Sequence, residues 1–150
     1  MAGRYFDQWK VGDRVLHEIH RTVTETDNLL FSALTHNPQP LHLDAEFAAK
    51  SVFGRILVNG TFTFSLMVGL TVYDTTLGTL LANLGYDKVR MPNPVFIGDT
   101  LRAETEVLEL RASKTRPDTG IATFRHRMLN QKGELVCECE RSAMLNRAPA

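Results

Sequence analysis

The chain has 150 residues, with 17 lysines and arginines against 17 aspartates and glutamates, and 43% of it is hydrophobic. That length suits one domain, residues 1–150, with a real core. The balanced charge gives no footprint for nucleic acid or an anionic membrane, and the hydrophobic content excludes a disordered chain.

The N-terminal run Met1–Asp7 contains no apolar signal core. Residues 13–19 are short and mixed and read as a strand. Thr24-Glu-Thr-Asp27 is a helix start, because Thr24 can cap the first turn while Asp27 reaches back to it. Leu29, Leu30, Ala33 and Leu34 follow at helical spacing. That helix stops by Asn37-Pro38, since a residue before proline is pushed out of the helical region. Pro38 and Pro40 enforce an extended segment around Gln39, and residues 44–50 read as a short second helix.

Gly60 opens the next element. From Phe62 to Leu70 almost every residue is apolar or small and no polar face exists, which is the pattern of a helix wrapped by the rest of the protein. The apolar stretch from Phe62 to Tyr73 is far short of the roughly 20 residues that span a bilayer. After Gly85 the period changes to two. Leu101, Ala103, Thr105 and Val107 alternate with Arg102, Glu104 and Glu106. Ala122, Phe124 and Met128 alternate with Thr123, Arg125 and Arg127, and Leu135, Cys137 and Cys139 with Val136, Glu138 and Glu140. These are half-buried antiparallel strands. Turns are expected at Pro117–Gly120 and Asn130–Gly133, and residues 147–150 read as a frayed tail. The fold class is α+β, an antiparallel sheet curled around a buried helix. Two cysteines on one face of a strand neither bridge nor complete a metal site and read as small core hydrophobes; reduced thiols and the lack of a leader or spanning stretch point to the cytoplasm.

The chemistry concentrates in residues 33–44. Two prolines stiffen a loop that presents Asn37, Gln39 and His42, flanked by His36 and Asp44. An imidazole held beside a greasy element can move protons near neutral pH. The plainer reading makes Asn37 a turn starter and Asp44 a helix cap. In Val58-Asn59-Gly60-Thr61, a glycine at the start of a buried helix lets a ligand approach free N–H groups at the positive end of the dipole, or is simply a tight turn. The run from Arg111 to Arg116, with Lys114, could hold phosphates or be a solvated hairpin tip, and Arg90 could line a substrate tunnel or face water. His17, His20 and His126 lack metal-site spacing, and there is no phosphate loop, nucleophile elbow or zinc motif.

Several of these motifs, in this order, resemble the MaoC-like dehydratases, or (R)-specific enoyl-CoA hydratases, over about residues 6–145. The family signature Gly-Asp-x-Asn-Pro-hydrophobic-His corresponds to residues 36–42, the lead into the family's central helix to Phe53–Gly60, and its strand start to Pro94–Leu101. The resemblance implies a hotdog fold and an active site at a homodimer interface, and a higher homo-oligomer also fits. It further implies an acyl-CoA thioester partner, with neither metal nor other cofactor. By position His42 takes the family histidine and Gly60 the backbone oxyanion donor. Asn37 stands for the family aspartate, Gln39 for its asparagine and Asn59 for its histidine. An asparagine can orient water but cannot accept its proton. The pattern is similar to the branch that hydrates mesaconyl- or itaconyl-CoA, whose free carboxylate a site lacking aspartate would repel less. Substrate contacts would then come from Gln39, Asn59, Gly60, Thr61, Arg90, Lys114 and Arg116, with His42 and Asn37 catalytic. A non-catalytic acyl-CoA-binding domain and a hotdog thioesterase are the alternatives.

Overall fold

The capping pair works in both directions in the computed structural model, which describes residues 3–149. Thr24 Oγ1 accepts the Asp27 N–H at 3.2 Å and Asp27 returns a carboxylate to the Thr24 N–H at 2.8 Å. Met1, Ala2 and Ala150, where the leader reading begins and the tail ends, lie outside the described residues.

In chain order, a single 3-10 turn (Phe6–Gln8) precedes β1 (Arg14–Leu16), β2 (Arg21–Thr22) and α1 (Glu25–Leu34). Then come α2 (Pro40–Leu43), α3 (Ala45–Ala49) and α4 (Gly60–Thr75). The strands β3 (Leu80–Arg90), β4 (Thr100–Ala112), β5 (Thr119–Leu129) and β6 (Leu135–Asn146) complete the chain. All strand pairs are antiparallel, in the order β1-β4-β5-β6-β3, with β2 on the start of β4. The strand expected over 13–19 is thus shortened to Arg14–Leu16, ending where His17 turns inward, and β2 lies beyond it. The extended stretch ends at Gln39, since Pro40 with its fixed φ is a favourable first helical residue and starts α2. The expected tail is tied at its base, where Arg147 N–H donates to the Asp118 carbonyl at 2.9 Å and its guanidinium pairs with Asp7.

The inward residues of the three central strands are not uniformly apolar. Ala103, Met128 and Cys139 join α4's Met67 and Leu70 in one hydrophobic cluster, and Val107, Phe124 and Ala143 join Trp9 in another. Between the two lies a polar layer of Thr105, His126 and Arg141, each at most 2% exposed. Thr105 Oγ1 lies 2.8 Å from both His126 Nδ1 and His17 Nε2, and His17 Nδ1 lies 2.8 Å from Asp74 of α4. Arg141 Nε donates to Asn83 Oδ1 at 2.7 Å. Burial, then the neighbouring Arg141 charge, lowers the His126 pKa to about 3. Cys137 and Cys139 are buried free thiols, and burial pushes Cys137 up to about 12. Val136, assigned outward by alternation, is buried too, next to a register shift at Met128–Leu129.

The opposite face of the sheet is a solvated charge ladder. Glu106 pairs with Arg14 and Arg125, Glu104 with Arg127, Lys88 with Glu140, and Arg90 with Glu138. A shallow 450 Å³ hollow runs along this face.

Helix α4 lies across the inner face but is not wrapped within one chain. Thr63, Met67, Leu70, Thr71 and Thr75 are buried, whereas Thr61, Ser65, Gly69 and Tyr73, four residues apart, form an exposed stripe. The sheet covers only one side of the helix, which is why the all-round burial expected from its composition is not met within the chain. Among the described residues no helix is long and apolar enough to cross a membrane.

Candidate active site

Three short segments meet at the amino end of α4. In α2, His42 is half-buried and its Nδ1 lies 2.7 Å from the Leu57 carbonyl oxygen. A carbonyl can only accept, so Nδ1 carries the proton and the neutral ring keeps its lone pair on Nε2. Leu57 is three residues before Gly60, and its own N–H donates back to the Leu41 carbonyl at 3.2 Å, so α2 and the approach to α4 are laced together.

Asn59 caps α4. Its Oδ1 accepts the Thr61 N–H at 3.1 Å and the Thr61 hydroxyl at 2.6 Å. As the first residue of the helix, Gly60 has no intrahelical acceptor for its N–H, and none is found for it among the described residues. That free donor sits at the positive end of a 16-residue helix. A Cβ on Gly60 would lie 2.6 Å from Met91 Sδ. Met91 and Gly60 line a 260 Å³ cavity with Phe53, Leu57, Pro92 and Val136.

Of the residues singled out from sequence, His42, Asn59, Gly60 and Thr61 come together here. Asn37 and Gln39 sit on the preceding bend, where Asn37 Oδ1 accepts the Gln39 N–H at 3.1 Å. Asp44 caps α3 by accepting the Phe47 N–H at 3.0 Å. The three cations do not arrive in this chain. Arg90 points to the charge ladder, 2.5 Å from Glu138, because strand alternation puts it on the outer face. Lys114 and Arg116 are exposed at the β4–β5 turn. Strand β4 begins beside β2 near the site and runs 13 residues away from it, about 40 Å at the usual rise per residue. Arg55, two residues before Leu57, stacks 3.8 Å over the ring of Phe96, whose backbone bridges to Leu57, and has no carboxylate partner among the described residues.

Sequence reasoning missed Met91, which only the fold brings over Gly60, and the buried pair Asn28 and Ser32 of α1. The signal for the pair was two small polar residues one helical turn apart. Asn28 Nδ2 donates to the His42 carbonyl at 2.9 Å, Asn28 Oδ1 accepts the Asn59 N–H at 2.9 Å, and Asn59 Nδ2 donates to Ser32 Oγ at 3.2 Å. No group of three or more histidine, cysteine, aspartate or glutamate side chains suited to a metal occurs among the described residues.

Comparison with known proteins shows what the chain as a whole is similar to. The pattern described as the MaoC like domain matches residues 7–127. The mesaconyl-CoA hydratase of Cereibacter sphaeroides is 36% identical over 146 residues, covering 97% of this chain but only 42% of that protein. A solved structure described as the monoamine oxidase regulatory protein from Archaeoglobus fulgius superimposes with a TM-score of 0.88 at 35% identity, over 99% of both chains. A conserved hypothetical protein from Mycobacterium tuberculosis, described as having a double hotdog fold, gives a TM-score of 0.89 at 27% identity, over 99% of this chain and 46% of that one.

Proposed function

Because the chain belongs to the family of MaoC-like domains, we propose that it adds water reversibly across the double bond of a short enoyl-CoA thioester, with His42 as proton carrier and Gly60 N–H as oxyanion donor. The observation that carries this reading is the tautomer lock. The Leu57 carbonyl accepts the Nδ1–H of His42 and leaves the Nε2 lone pair free, on a ring tied to the segment that leads three residues later to the unclaimed N–H of Gly60.

In the hydration direction, Nε2 takes a proton from water as its oxygen bonds to the β-carbon. The π electrons move toward the thioester oxygen, where the Gly60 N–H and the helix dipole stabilise the developing charge. The imidazolium then gives its proton to the α-carbon, with the syn geometry implied by the family. Asn37 and Gln39 position water or the acyl group, and Asn59 and Thr61 shape the helix start. The cavity lies just below the roughly 300–1,000 Å³ of typical small-molecule sites and favours a short acyl group. A branched dicarboxylic substrate such as mesaconyl- or itaconyl-CoA fits a site that lacks an aspartate. Arg55 is the candidate anchor for its carboxylate or for the nucleotide phosphates, in place of Arg90, Lys114 and Arg116 of the same chain.

The site is completed by a second copy. Strand β3 ends the sheet with a free edge bearing Leu81, Leu84 and Val89, all exposed, and reaches α4 through the edge-on contact of Tyr86 with Phe64. An unpaired apolar edge next to an uncovered helix face is a dimer surface.

A second reading has its own support. Asn37 replaces the carboxylate, and a structural relative of full length is described as a regulatory protein, so acyl-CoA binding without turnover competes with hydration. A thioesterase fits less well, because the first carboxylate along α4 is Asp74, already bonded to His17. Mixing the purified chain with mesaconyl-, itaconyl- and crotonyl-CoA while following enoyl absorbance decides among them. Loss of absorbance supports hydration, tight binding without it supports the binding domain, and CoA release seen with a thiol reagent supports the thioesterase.

A further inference from the structure

Helix α1 is amphipathic the wrong way round. Leu29, Leu30 and Leu34 are exposed, while Asn28 and Ser32, one turn apart, are at most 1% exposed. Burying a polar face is unfavourable unless every group finds a partner, so the partners show what the face is for. Asn28 Nδ2 holds the His42 carbonyl, one of the orphan carbonyls at the end of α2, and Asn28 Oδ1 holds the N–H of Asn59, the residue before Gly60. Ser32 takes the Asn59 side-chain amide. One buried carboxamide therefore ties the backbone of the proton carrier to the backbone of the helix that presents the oxyanion donor.

We propose that Asn28 is a positioning residue for hydration, a rigid two-hydrogen-bond spacer that sets the separation of His42 from the amino end of α4, with Ser32 as its second tether. This rests on the hydratase reading above. The 16 residues between His42 and Asn59 run through the short helix α3 and irregular chain. The Leu41–Leu57 and His42–Leu57 bonds tie α2 to the approach segment, and among the described residues Asn28 alone bonds the His42 backbone to the residue that caps α4. A shift of about 1 Å between reacting groups can lower a rate by about 100-fold.

The test uses Asn28→Leu, Asn28→Asp and Ser32→Ala in the full-length chain. It measures kcat, KM, the pH–rate profile, and the tautomer of the His42 ring by nitrogen NMR. Asn28→Leu keeps the shape and loses both bonds. Its kcat is expected to fall at least 30-fold with KM changed less than threefold, and the Nδ1-protonated signature of His42 to weaken. Asn28→Asp keeps the acceptor for Asn59 but not the donor for His42. An intermediate kcat is expected, with the acid limb of the profile moved to higher pH by the added carboxylate. Ser32→Ala is expected to lower kcat three- to tenfold, and together with Asn28→Asp it carries the test if Asn28→Leu does not fold. Activity lost only in proportion to unfolded protein, with an unmoved pH profile and an unchanged His42 tautomer, overturns the proposal. If the wild type hydrates none of the three thioesters, the hydratase reading fails by itself. The NMR comparison still decides the spacer: a weakened signature supports it and an unchanged one overturns it.

Discussion

His42 and His126 show how residue environment divides one side-chain type into two roles. His42 is half-buried, with one nitrogen committed to a carbonyl and the other open to chemistry. His126 is sealed between β4 and β6, stacked on Phe124 with ring centroids 5.8 Å apart, and its pKa falls to about 3. Folding thus keeps the His126 ring neutral. The unfolded chain takes up a proton below its usual pKa near 6.5, and the folded protein refuses that proton until about pH 3. The contribution to stability is complete above pH 6.5 and erodes as the pH falls, by about 1.4 kcal/mol per unit within that window. His126→Phe should therefore flatten the decline in urea stability between pH 6.5 and 4.5 relative to wild type, while Thr105 keeps His17 as a partner. An equally steep decline in the variant would remove His126 from the acid limb.

At the scale of elements, the amino end of α4 is where packing and chemistry can be separated. Gly60→Ala places a methyl against Met91 Sδ, in the cavity that both residues line. A loss of about 1 kcal/mol from crowding is expected, together with a larger loss of turnover. Adding Met91→Ala should restore the urea midpoint but not kcat, whereas recovery of both would mean that Gly60 matters only for packing. The elements also mark what the sequence could reveal. The capping box at Thr24 and Asp27, the buried cysteines and the alternation of β4 are local consequences of spacing, so they were readable. The direction of α1 was not. Its Leu29–Leu30–Leu34 stripe is real, but only the tertiary fold decides that Asn28 and Ser32 face inward. The sequence leaves Arg90 open between two readings for a similar reason. Its nearness to Met91-Pro92 suggested a tunnel, but the alternation of β3 turns it toward Glu138. Lys114 and Arg116 were readable as a hairpin tip, and only the length of β4 shows how far that tip lies from Gly60.

At the scale of the whole molecule, this is a hotdog fold whose sheet carries one polar and solvated face and one face that a single helix half covers. The end strand β3, whose Tyr86 packs edge-on against Phe64 of α4, and the open stripe of α4 are the two uncovered features, and the proposed site needs a second copy to cover them. Leu84→Arg puts a charge on an exposed position of that edge and should leave the fold intact. Sedimentation velocity is expected to show a dimer for wild type and a monomer with reduced turnover for the variant. A variant that remains dimeric at low micromolar concentration would place the interface elsewhere.

The central claim is that one imidazole moves the proton in a site where an asparagine stands for the carboxylate. Its most direct test is the rate of hydration of mesaconyl-CoA by wild type, His42→Gln and Asn37→Ala. Loss of general acid–base catalysis typically lowers rates by about 10²–10⁴. A fall of at least 100-fold in kcat is expected for His42→Gln, with Asn37→Ala retaining a larger share of the activity. Turnover by His42→Gln within fivefold of wild type would contradict it.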